Sequence, residues 1–163
     1  MAVRATKFAR LVLLERLVAV LLTGVIVTLL VVRANHAGGL WRDEAGVVQL
    51  ARMPSVSDVF RNFQHEAFPP AFPLTIRAYT NLFGSSDDSL RIFGCWVGCL
   101  VVGAFWINAR MFRNGAPLVA LGLLSLNATF FEWGTTLRGY GLGSALAVLM
   151  FGSIGKLVEE QNL

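Results

Sequence analysis

Sixteen consecutive residues, Leu17–Val32, carry no charge, and three further runs of similar character follow: Ile92–Ala109, Ala116–Phe131 and Gly139–Ile154. A hydrocarbon layer about 30 Å thick needs roughly 20 apolar residues in a helix to cross it. Extended to their interfacial flanks, the runs predict spans at about 11–32, 91–109, 116–134 and 139–155. Composition agrees. Only 15% of residues are charged and 55% are hydrophobic, where a soluble domain carries about 25% charged residues. Disorder is excluded by the same apolarity. A disulfide scaffold is excluded because Cys95 and Cys99 are the only cysteines and both sit inside an apolar run. The expected fold is all-α: one polytopic membrane domain over 1–163, with about four transmembrane helices.

The formal charge of +4 does not point to nucleic acid. Arg4, Lys7, Arg10 and Arg16 flank the first run, and Arg110 and Arg113 sit in the gap between the second and third. Between Arg33 and Arg91 the bases are balanced by Asp43, Glu44, Asp58, Glu66, Asp87 and Asp88. Excess positive charge at span edges sets orientation. It puts the N-terminus, the Arg110–Arg113 turn and Lys156 in the cytoplasm, with the 33–90 loop and Thr135–Arg138 outside. Trp41 and Trp133 fall near the outer boundaries, where indole rings favour the interface. Val32-Arg33-Ala34 also reads as a signal-cleavage site, but the apolar run exceeds the roughly 7–15 residues of a signal core, so an uncleaved anchor is expected.

The outer loop is punctuated like folded structure. Ala45–Met53 reads as a short helix closed by Pro54. Ser57 is placed to cap a second, with Val56, Val59, Phe60 and Phe63 at helical spacing. Phe72, Ile76, Tyr79 and Phe83 predict a third, ended by Gly84. Short amphipathic helices on the membrane surface are expected; the alternative is a small subdomain that packs the same faces together. Two acids, Asp43 and Glu44, follow the first span. Their structural explanation is capping, with Asp43 as N-cap and Glu44 in the first turn. Their functional one is a general base or cation ligand at the membrane surface. His65 precedes Pro69-Pro70, which sets an extended approach to the next helix.

In order, Asp43-Glu44, His65 with Pro69-Pro70, Phe83-Gly84, Ser89-Leu90-Arg91 and Arg138-Gly139-Tyr140-Gly141-Leu142 resemble the GT-C class of membrane glycosyltransferases. Protein O-mannosyltransferases and lipid A aminoarabinose transferases belong to that class. The resemblance covers roughly Leu11 to Ile154. It departs where Glu66, Ala67 and Phe68 intervene between the basic residue and the prolines, and where Gly139 replaces a frequent proline. The chain is short for the class and matches the N-terminal part of such a fold.

The resemblance implies inverting transfer of a sugar from a polyprenyl-phosphate donor to a lipid, glycan or protein acceptor. The reaction would take place on the outer face of the plasma (inner) membrane, periplasmic or extracellular. Asp43 would be the catalytic base, with Glu44 supporting it or placing the acceptor. Arg138 and Tyr140 would hold the phosphate, and His65 would contact acceptor or sugar. Two acids alone do not make a metal site, and a divalent ion stays open. The competing expectations are a non-catalytic membrane subunit or truncated remnant of such an enzyme, and a small transporter. The transporter is disfavoured by span centres nearly free of charge.

Overall fold

A computed structural model describes residues 2–63, 68–112 and 115–161, with side chains from residue 9 onward. Its regular elements are all helical: α1 (Ala2–Asn35), α2 (Arg42–Ala51), α3 (Val56–Arg61), α4 (Ala71–Phe83), α5 (Asp87–Met111), α6 (Leu118–Ser125), α7 (Ala128–Trp133) and α8 (Gly139–Gln161). Three of these are long and apolar enough to cross a membrane: Ala9–Asn35 of α1, α5 and α8. That is consistent with an integral membrane protein. α5 is the central helix. Its most apolar stretch is 44% buried, against 17% for α1 and for α8, which turn rows of Leu, Val and Phe outward.

Small residues let these helices close on one another, as is usual where lipid supplies no hydrophobic drive for association. Gly141 of α8 lies against Val97 of α5 and the Gly134 carbonyl, and Gly155 lies against the Phe112 ring. On α5, Gly98 admits Leu30 of α1, and Gly94 lies under the Thr135 carbonyl. The contact at Gly141 is with backbone, which cannot swing aside. Gly141→Val is expected to cost about 1–3 kcal/mol by overpacking. Gly143→Ala, with nothing within 4 Å of the new methyl, should melt at or slightly above the parent protein, since Ala favours a helix over Gly. Thermal unfolding in detergent micelles checks the pair.

The single helix expected over 116–134 is instead α6 and α7. The Asn127 side chain accepts from the Phe130 amide at 3.0 Å and starts a new helix, while Ser125 Oγ donates to the Gly122 carbonyl at 2.8 Å. These short polar side chains offer the backbone an alternative to continuing the helix. The segment nevertheless runs along α1. At one end the Ala116 amide donates to Glu15 Oε1 at 3.0 Å, and Gly115, at φ 74, brings the turn against that carboxylate. At the other, Thr135 and Leu30 meet at Gly98. Glu15 and Leu30 are separated by about 22 Å of helix axis.

The short helices expected over 33–90 are present, with shifted starts. α2 begins at Arg42 with Trp41 as N-cap, so Asp43 is not the cap. α3 is capped by Ser55 rather than Ser57: the Ser55 Oγ and Asp58 side chains each accept the other residue's amide at 3.1 Å. α3 stops at Arg61, leaving Phe63 beyond it. α4 ends at Gly84, whose φ of 85 suits glycine. The apolar faces pack together: Val47, Val48 and Ala51 of α2, Phe72 and Ile76 of α4, and Leu90, Phe93 and Val97 of α5 form one core with Leu137. That is the compact-subdomain alternative more than separate surface helices. Arg77 ties it by donating to the carbonyls of Ala51 and Pro54, both at 3.2 Å, and of Met53.

Candidate functional site

The subdomain exists around one buried ion pair. Glu44 is 2% exposed, and the Arg91 guanidinium grips it bidentately, Nη1 to Oε1 at 2.9 Å and Nη2 to Oε2 at 3.1 Å. Two backbone amides complete the carboxylate's shell: Trp41 N donates to Oε2 at 2.8 Å and Leu137 N to Oε1 at 2.9 Å. Arg91 also donates to the carbonyls of Gly38 and Gly39, at 3.3 and 2.7 Å. One pair therefore joins the chain leaving α1, the first turn of α2, the second turn of α5 and the loop before α8. The neighbouring motif residues do related work. Leu90 is fully buried, and the Ser89 hydroxyl lies within donating distance of the carbonyls of Phe83 and Gly84 at the end of α4, 3.2 and 3.1 Å away.

Asp43, one position earlier, points the other way. Its side chain is 57% exposed and pairs with Arg138 Nη2. The pair follows from the buried one: Glu44 fixes the Leu137 amide, and Arg138 is the next residue. Arg138 is held from a second side, since its guanidinium carbon lies 4.9 Å from the centroid of the Trp133 ring, within reach of a cation–π attraction. Asp43, Glu44 and Arg138 are thus brought together across 93–95 residues of sequence. Tyr140 is exposed, on the first turn of α8. His65 lies outside the described residues.

Arg138 and Trp133 form part of the wall of two cavities. One, of about 550 Å³, is an apolar groove running from Trp133, Arg138 and Tyr140 along α5, α7 and α8 to Leu124 and Val148. The other, of about 300 Å³, mixes charged and apolar walls and lies among Arg33, Trp41, Glu44, Arg91, Glu132 and Thr136. Among the described residues, no three His, Cys, Asp or Glu side chains gather as a metal site would require.

Sequence reasoning gave Arg91 a place in a motif but no role, and read Trp133 only as a boundary marker. Arg91 lies one turn into an apolar helix, behind Asp87 and Asp88, and nothing in its spacing named Glu44 as its partner. Trp133, five residues before Arg138, carried no signal beyond being aromatic. No family model, curated protein sequence or solved structure matches the chain.

Proposed function

We propose that the chain forms the catalytic, donor-binding part of a membrane glycosyltransferase. The enzyme moves a sugar from a polyprenyl-phosphate carrier to a lipid, glycan or protein acceptor at the outer face of the plasma membrane. The observation that carries this reading is the position of Arg138. It stands where an apolar groove ends, beside an exposed carboxylate and a second cavity that holds charged side chains. A prenyl tail fits the groove, and a guanidinium pairs with phosphate oxygens in a fixed fork. In this reading the broken α6–α7 segment makes a fourth crossing, and the basic clusters hold the site on the outer face.

Asp43 accepts the proton of an acceptor hydroxyl or amine as that group attacks the anomeric carbon. The bond from that carbon to the phosphate oxygen breaks, the electron pair leaves on the phosphate, and the centre inverts. Arg138 stabilises the added charge, and Tyr140 at the groove mouth supplies a further hydrogen bond. Glu44, with four donors on its two oxygens, has no room for a substrate. It is a positioning residue that holds Leu137, and through it Arg138. His65 keeps its proposed contact with acceptor or sugar.

The test is binding of a polyprenyl phosphate to the full chain in lipid nanodiscs. Arg138→Ala should weaken it by about 10–100-fold, the range expected for a lost charge-assisted contact, while the same lipid as free alcohol should bind both forms alike. Equal binding of the phosphate by both forms removes Arg138 from the donor site. A second reading has one observation in its favour: Asp43 and Arg138 already satisfy each other, as a purely structural tie would. A non-catalytic subunit of that kind predicts no selective phosphate binding.

A further inference from the structure

The smaller cavity has a charge balance that constrains what it accepts. Two of its three cations are already paired, Arg91 with Glu44 and Arg138 with Asp43. Among the described residues, Arg33 and Glu132 have no ion-pair partner, and they line the same cavity with opposite signs. A bare anion or cation there would gain from one and be opposed by the other. An uncharged group with hydroxyls, each both donor and acceptor, gains from both.

The walls add shape. Trp41 is 68% exposed and Trp133 is 37% exposed, and both indoles border the same space as the charged groups. Aromatic walls with a few placed polar groups are the usual make-up of a small-molecule site. A pyranose ring has the complementary surface, with C–H faces and a hydroxyl edge. The cavity's 300 Å³ equals the volume of roughly ten waters, room for one such ring.

We propose that this cavity binds an uncharged saccharide unit. Trp41 and Trp133 form its apolar walls, and Arg33 and Glu132 bond the hydroxyl edge. The link to catalysis rests on the transferase reading above: the sugar then sits across Arg138 from the prenyl groove, within the neighbourhood of Asp43.

The experiment is saturation-transfer NMR on the full chain in nanodiscs, with methyl hexopyranosides as neutral probes and methyl hexuronosides as charged ones. Phosphorus NMR of a polyprenyl phosphate runs in parallel. Neutral glycosides should take up saturation at their ring protons. Trp41→Ala and Glu132→Gln, both at exposed positions, should each weaken that binding about tenfold, as loss of a contact or hydrogen bond implies, and leave polyprenyl-phosphate binding unchanged. Polyprenyl phosphate bound with no glycoside signal overturns the saccharide site and leaves the transferase reading standing. Signal from the hexuronosides alone, or neutral binding undiminished in both variants, also overturns it. Glycoside binding without any polyprenyl-phosphate binding supports the saccharide site and sinks the transferase reading.

Discussion

Arg91→Ala is expected to cost about 3–5 kcal/mol of stability, the usual consequence of removing one partner from a buried ion pair. In a chain of this size that corresponds to a fall in melting temperature of roughly 6–20 °C. The cost is large because Glu44 cannot escape to water: it is 2% exposed and held from two further sides by the Trp41 and Leu137 amides. Glu44→Gln should cost less, because an amide oxygen keeps an acceptor for one of those amides while the guanidinium loses its counter-charge. Replacing both members with Leu should not restore full stability. Apolar substitution can rescue an isolated buried pair, but here two amides and the carbonyls of Gly38 and Gly39 would be left without their partners. Thermal unfolding of the three variants in one detergent orders them. An Arg91→Ala protein melting within a degree or two of the parent would mean that the pair is not what joins the subdomain to the bundle.

What could be read along the chain was whatever depends on neighbours in sequence. The three long helices follow from charge-free runs, and α4 follows from the spacing Phe72, Ile76, Tyr79, Phe83 and the glycine after it. The helix starts went wrong where two residues compete for one role. Ser55 and Ser57 both suit a cap, and only Ser55 has an acid three residues on, at Asp58, to complete the reciprocal pair. Asn127 was visible inside the third apolar run, but the run's hydropathy outweighed it. In the fold its side chain caps a new helix, and the single helix expected there is broken in two.

The site divided in the same way. The Asp43-Glu44 dipeptide stood out, but nothing in the spacing could tell its two members apart. One is buried by Arg91, 47 residues away, and the other is turned out toward Arg138, 95 residues away. Which acid is structural and which is available to a substrate is therefore a tertiary fact.

That division makes Asp43→Asn a clean test of chemistry. Asp43 is not the N-cap of α2, so no cap is lost. Its tie to Arg138 is largely exposed at the carboxylate, and exposed ion pairs contribute about 0–1 kcal/mol. Asn keeps the side chain's size and one oxygen to accept from Arg138, and the buried Glu44–Arg91 pair is untouched. The variant should therefore fold and melt nearly as the parent does. Its carboxamide cannot take a proton from the acceptor, and loss of a positioned general base slows transfer by about 10²–10⁴-fold. The fall should appear in kcat, with polyprenyl-phosphate affinity unchanged or tighter, since Arg138 is freed from a competing carboxylate. The measurement is sugar transfer from a polyprenyl-phosphate donor in membranes, at matched expression, beside donor binding by the same variant. A fall in donor affinity with kcat preserved would assign Asp43 to holding Arg138 in place. Near-normal values of both would leave the Asp43–Arg138 pair a structural tie, with no part in proton transfer.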